Sequence, residues 1–308
     1  MKNINLYCFR RELLAFAMLS VLFYHLAFLG IPIGRLNIGY MGVDIFLLFS
    51  GYGIAKSLNR NSLKSFFNNR FWRVYPLFGI TIIFFKLISC LIYHDTNSLI
   101  EIVPCLFTLP YYYNPDIQPD WYFPALFLLY LLSPLFYNLI KKHKCLLPCI
   151  IYISSIIIDI SGLINHWQWE CLTGRISVYV FGMYCAICKY ENPSKLLVVI
   201  LFCIGILFFI KGFHYQFSSA VIPTVVIFAN YIVNMFKLSG NKFLSIIGNN
   251  TLEIYCADII SSVIAPRFYG YSILVNIMIK VFIVFMCSFL LVYLNQKIQK
   301  VRSRVTEK

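Results

Sequence analysis

Apolar residues along this chain come in long unbroken blocks, separated by short polar segments. There is no strand-like alternation, and the blocks are too uniformly apolar for the narrow stripe of a soluble amphipathic helix. A helix that crosses a bilayer needs ~20 predominantly apolar residues. Ten blocks approach or meet that length: Leu13–Ile33, Gly39–Ala55, Val74–Tyr93, Tyr122–Ile140, Cys145–Ile164, Leu172–Cys188, Leu196–Phe213, Ser219–Phe236, Phe243–Ile264 and Tyr271–Leu294. The second is short, and the sixth is short and carries Arg175. The pattern predicts an all-α polytopic membrane protein with about ten transmembrane helices.

Charge fixes the expected orientation. With the N-terminus inside, segments 1–12, 56–73, 141–144, 189–195, 237–242 and 295–308 are cytoplasmic and hold 20 of the 26 Lys and Arg. The long outer segment His94–Asp120 has Asp95, Glu101, Asp116 and Asp120 and no Lys or Arg. Cytoplasmic loops are enriched in basic residues, so ten spans with both termini cytoplasmic satisfy the sequence. Dropping the sixth block would put the basic C-terminal tail outside. The formal net charge of +14 is then topology, and nucleic acid is not an expected partner. Composition agrees: of 308 residues 60% are hydrophobic and 12% charged, against about half and a quarter in soluble domains. A soluble enzyme, a secreted disulfide scaffold and a disordered tail are excluded.

No internal repeat, low-complexity linker or appended soluble domain interrupts the pattern, so residues 1–308 read as a single transmembrane domain. Most of the 11 Cys sit in apolar blocks, where a thiol behaves as a small hydrophobe. Cys185-Ala-Ile-Cys188 has metal-motif spacing but no second Cys or His pair near it, so no metal site is expected. The N-terminal block lacks a small-x-small cleavage site and contains a histidine, which suits a retained first helix.

Several polar residues stand out against this background. His25 lies in the first block, and an ionisable side chain at membrane depth suggests function by default, with an interhelical hydrogen bond as the plainer reading. Asp44 lies near the start of the second block, at a depth within roughly 5 Å of His25 if the two helices are antiparallel. It would orient and stabilise a protonated imidazole, or simply cap its helix after Gly39 and Gly42. Arg70 and Arg73 share one helix face just before the third block, on the cytoplasmic side. Guanidinium forks suit phosphate, while lipid headgroups are the ordinary partner of such charge. Arg10 and Arg11 precede the first block. Lys86 and Lys280 sit within apolar runs, where snorkelling would explain them. Arg175, Trp121 and Tyr111–Tyr113 fall on the outer side, where an arginine suits an anionic glycan and aromatics stack on sugar or form an interfacial girdle. Glu253 and Asp258 are polar within the ninth block.

Taken in order, these segments resemble a known family. The His of the first block is followed by Gly42-Val-Asp-Ile-Phe-Leu-Leu-Phe-Ser-Gly51, then Phe67-Asn-Asn-Arg-Phe-Trp-Arg-Val-Tyr-Pro76. Then come Trp121-Tyr-Phe-Pro124 with Tyr130-Leu-Leu-Ser-Pro134, Arg175 with Phe181-Gly-Met183, and Gly248-Asn-Asn-Thr-Leu-Glu-Ile-Tyr255. The chain resembles the integral-membrane acyltransferase-3 family, which includes O-acetyltransferases of bacterial surface polysaccharides. The resemblance implies a ten-helix core that moves an acyl group, usually acetyl, from cytoplasmic acyl-CoA to a hydroxyl of a cell-surface or lipid-linked glycan. It implies His25 and Asp44 as catalytic residues and Arg70 and Arg73 as acyl-CoA contacts, with Arg11 as a further one and Arg175 and Trp121 toward the acceptor. Acyl-CoA enters as co-substrate, with no resident cofactor, and the implied location is a bacterial inner membrane. Two positions depart from the family pattern: Leu14 stands where an Arg is usual, and Asp258 where the ninth-helix motif often has His. A glycan or lipid transporter of the flippase type would share the hydrophobicity and the basic inner loops, although the inverted repeats common in transporters are missing.

Overall fold

The structure is a computed structural model that describes residues 6–26, 29, 38–164, 166–190, 194–212, 214–270 and 272–306. Among these residues every regular element is helical. The α-helices in chain order are α1 (Arg10–Leu26), α2 (Ile38–Arg60), α3 (Leu63–Tyr93), α4 (Asn97–Ile100), α5 (Ile102–Leu106), α6 (Pro110–Tyr113) and α7 (Tyr122–His143). They continue with α8 (Leu146–Ser161), α9 (Trp167–Ile187), α10 (Lys195–Ile210), α11 (His214–Met235), α12 (Lys242–Asn249), α13 (Thr251–Ile264) and α14 (Ile273–Thr306). Five of them are long and apolar enough to cross a membrane, over Gly39–Arg60, Leu63–Tyr93, Tyr122–His143, Phe217–Met235 and Ile273–Arg304. Leu146–Ile158 and Leu196–Ile210 are shorter apolar helices. The last part of the first expected span, residues 27–28 and 30–33, lies outside the described residues, as do Lys2 and Lys308.

Among the described residues, the second to eighth expected blocks each fall on one helix, the tenth falls on α14, and the first is helical over Leu13–Leu26. The ninth does not fall on one helix: Phe243–Ile264 is broken into α12 and α13 at Asn250, whose backbone leaves the helical region (φ −114°, ψ 28°). Gly248-Asn249-Asn250 explains the break, because Gly and Asn are weak helix formers and Asn competes for the backbone. The 14 residues of α13 rise ~21 Å, less than the ~30 Å hydrocarbon core. Other boundaries have ordinary local causes. Ser194 caps α10 by accepting from the Leu197 amide at 3.2 Å. Asp120 caps α7, its two carboxylate oxygens accepting from the Tyr122 and Phe123 amides at 2.9 Å each.

The chain divides into two compact units. The first comprises Met1–His25, Ile33–Phe66 and Phe127–Asn249, and the second Leu26–Pro32, Phe67–Leu126 and Asn250–Lys308. The core of the first unit is the crossing of α2 and α9. Gly51 lies against the Tyr179 carbonyl and Gly182 against the Leu48 carbonyl, so neither position has room for a Cβ. Small residues at a crossing let two backbones approach in lipid, where van der Waals contact drives association. The second unit packs α13 on α14, together with α3 and the short helices α4 to α6.

Candidate functional site

In the first unit the charged centre sits beside the glycine crossing. Asp44 and Arg175 each lie seven residues before the glycine of their own helix, Gly51 and Gly182. Their side chains meet, with Arg175 Nε 3.2 Å from Asp44 Oδ1 at 1% and 0% exposure. That meeting requires α2 and α9 to run in the same direction, because antiparallel helices would separate the two residues by ~20 Å. The Ser218 hydroxyl of α11 donates to Asp44 Oδ2. Arg175 Nη1 donates to the Cys171 carbonyl at 3.1 Å, and the guanidinium stands 5.0 Å over the Tyr40 ring. One buried pair therefore ties three helices together with its charge compensated. Removing one partner of such a pair strands the other.

His25 closes α1 and is half-buried. Its ring lies 5.9 Å from that of Tyr24, and the Tyr24 hydroxyl donates to Tyr40 Oη at 3.3 Å. Tyr40 in turn lies beneath Arg175. His25 is thus connected to the ion pair through two tyrosines. The expected carboxylate–imidazole contact is replaced: the partners of Asp44 are Arg175 and Ser218. The physical reason is charge, since a buried carboxylate gains more from a permanent cation than from a neutral ring. Arg175, expected on the outer side toward an acceptor, is 1% exposed and is held by Asp44. Arg11 is exposed at the start of α1, where its backbone carbonyl packs against Gly248.

The first unit also holds a cavity of roughly 370 Å³ between α8, α9, α10 and α11. Its walls are apolar, with Pro148, Phe181, Leu201 and Ile222 among them, and the hydroxyl of Ser177 lies buried there without a hydrogen-bond partner. Neither His25 nor Asp44 lines it.

In the second unit α3 carries Arg70, half-buried, and Arg73, exposed. Both lie on the polar stretch before the apolar run that begins at Val74. Gln299 of α14 donates to the Trp72 carbonyl at 3.0 Å, and Arg302 of α14 donates to Asn69 Oδ1. Asn295 of α14 donates to Glu253 of α13 at 2.5 Å. Elsewhere in this unit Trp121 is half-buried beside Tyr122, and the Tyr255 hydroxyl donates to Asp120. Two segments of the family pattern, Trp121-Tyr-Phe-Pro and Glu-Ile-Tyr255, therefore meet at the cap of α7.

Lys86 and Lys280 do not snorkel to an interface as expected. Lys86 is 5% exposed and donates to Glu101 at 2.5 Å and to the Ile117 carbonyl at 3.0 Å. Lys280 is 8% exposed and lies 3.5 Å from Asp258. An acid within reach is cheaper than stretching a buried stem to water. The sequence carried a signal for one of these pairs, since Asp258 is an acid within an apolar block, as unusual there as Lys280; Glu101 is one of four acids in its segment. It carried a weaker one for Tyr40, four residues before Asp44 on the same helix face, and none for Ser218. Among the described residues no group of His, Cys, Asp and Glu has a metal-binding arrangement.

Residues 15–294 match the family model described as an acyltransferase domain. A protein named "Putative acetyltransferase ORF330", from Acidianus two-tailed virus, is 27% identical over 246 residues, covering 74% of this chain and 72% of its own. No solved structure matches the chain.

Proposed function

Because the chain belongs to the acyltransferase-3 family, matched over residues 15–294, we propose that it is a membrane O-acyltransferase using cytoplasmic acyl-CoA. The acceptor is a hydroxyl of a cell-surface or lipid-linked glycan, and the acyl group is acetyl. The observation that supports this best is the placement of Arg70 and Arg73 on the polar extension of α3, accessible and next to the membrane-spanning run. The two guanidiniums hold the donor phosphates, and Arg11, at the start of α1, is a further candidate cation for the donor.

His25 removes the proton from the acceptor hydroxyl as its oxygen attacks the thioester carbonyl. The carbon–sulfur bond then breaks and CoA leaves as the thiolate, to be protonated in water. Asp44 acts as a positioning residue: with Arg175 it holds α2 against α9 under the Tyr40–Tyr24 contact that borders His25. Trp121 stacks on the acceptor. The two units work as one domain of ten spans with both termini cytoplasmic, in a bacterial inner membrane. The parallel course of α2 and α9 supports that topology, since the second and sixth of ten spans run the same way.

The test is CoA release from acetyl-CoA by purified protein in vesicles, with an envelope-glycan extract as acceptor. The wild type releases CoA and labels glycan, and His25→Ala folds normally but does neither. Absence of both turnover and acetyl-CoA binding in the wild type would overturn the reading.

A further inference from the structure

The cavity of the first unit is walled by two helix pairs. α8 packs on α9, α10 packs on α11, and α9 packs on α11. α8 and α10 meet at one end of it, where the Tyr152 and Phe208 rings lie 6.5 Å apart. From that closed end the lining follows α8 back to Cys145, and α9 from Ser177 on to Tyr184, about 10 Å along each. Cys145, Tyr184 and Tyr190 form the other end. These three lie together: the Tyr184 and Tyr190 rings are 5.9 Å apart, and Cys145 acts electrostatically on Tyr184.

That second end is basic. Lys144 directly precedes Cys145, and Lys189 directly precedes Tyr190. Both lysines are exposed, and Lys144 acts electrostatically on Cys188, the neighbour of Lys189. Neither is paired with a carboxylate among the described residues. An apolar space therefore ends at two adjacent cations.

Water gains nothing in an apolar cavity, and an empty one costs stability. In a bilayer the molecule at hand is a lipid. Its chain matches the walls, and an anionic headgroup matches the lysines, as in other basic pockets between membrane helices. We propose that the cavity seats one chain of an anionic phospholipid, with its phosphate held between Lys144 and Lys189. The chain then lies along the helices that carry the buried ion pair. Ser177 stands two residues after Arg175, and Ser219 follows Ser218, which donates to Asp44. Occupancy braces α9 and α11, and a ligand that binds only the folded state raises its stability.

The experiment counts lipids bound to the full chain in neutral detergent by native mass spectrometry, with melting temperatures alongside. Phosphatidylglycerol and phosphatidylcholine with identical chains are the probes, and glycerol phosphate is the headgroup without a chain. The wild type binds one phosphatidylglycerol about tenfold tighter than phosphatidylcholine and melts higher with it. Lys144→Gln combined with Lys189→Gln binds both lipids alike, at the weaker level. Ser177→Leu and Leu201→Trp fill the cavity and lose both lipids, while their lipid-free melting temperatures hold. Ser177 suits this purpose, because its buried hydroxyl has no hydrogen bond to lose. A phosphatidylglycerol with a photoreactive group on its chain labels the lining of α8 to α11 in the wild type, a readout that needs no variant. Equal binding of the two lipids by the wild type overturns the proposal. So does a preference that survives both filling variants, or label confined to the outer helix faces, either of which would reduce the contact to headgroups at the surface. Glycerol phosphate binding as tightly as the lipid would leave an anion site with no chain, and also overturns it.

Discussion

Arg175 in the first unit and the Arg70–Arg73 pair in the second are the same residue type in a chain with few charges, and their surroundings differ in every respect. Arg175 is 1% exposed, paired with Asp44, bonded to the Cys171 carbonyl and laid over Tyr40. Its charge is consumed in holding helices together. Arg73 is exposed and Arg70 half-buried, on a helix extension beyond the apolar run. Charge that the fold has already compensated cannot recognise a ligand, whereas a guanidinium that keeps contact with solvent can be reached by one. The resemblance implied Arg70 and Arg73 for the donor and Arg175 for the acceptor; burial makes Arg175 a lock and leaves Arg70 and Arg73 as the proposed landing site.

The contrast is broken most severely at the lock. Arg175→Ala strands the Asp44 carboxylate and is expected to cost ~3–5 kcal/mol. A fall in melting temperature in detergent, together with loss of folded yield, would show it. Combining it with Asp44→Asn removes the stranded charge and restores most of that loss. If the single variant is as stable as the wild type, the pair does not hold the first unit together.

Gly182→Ala comes next. Its Cβ would overlap the Leu48 carbonyl, and forced repacking of this kind costs ~1–3 kcal/mol. Thermal melts of Gly182→Ala and of Gly53→Ala, where a Cβ meets open space, separate a crossing effect from a general loss of helix flexibility. Equal melts for the two would remove the tight crossing from the account.

The landing site should respond in the other coordinate. Arg70→Ala is expected to raise KM for acetyl-CoA about tenfold, or ~1.4 kcal/mol of binding, with little change in melting temperature. Steady-state kinetics with a stability control test this, and a change in stability without one in KM would make Arg70 structural. Salt gives the smallest effect. Between 0.1 and 1 M the screening length falls from ~10 to ~3 Å, so donor affinity should drop while the enclosed Asp44–Arg175 pair keeps its stability. A melting temperature that falls with added salt would argue against the burial contrast.

The sequence by itself determined the all-helical class, the location of most helices and the family. These follow from block hydrophobicity and local motif order, which need no knowledge of which helix touches which. It also singled out His25, Asp44, Arg70, Arg73 and Arg175 as unusual. It could not assign their partners. Asp44 and His25 are close in the chain and at similar depth, so proximity suggested a pair, but Asp44 turns to Arg175, 131 positions away, and to Ser218. Lys86 and Lys280 looked like snorkelling stems because their acids, Glu101 and Asp258, lie on other segments. The break at Asn250 was masked by the hydrophobicity on both sides of it. Arg302 read as one more cytoplasmic charge until α14 was seen to continue beside α3. Periodicity and composition are properties of one segment. Compensation of a charge in a low-dielectric interior is a property of two or three, and only the tertiary structure decides which ones meet.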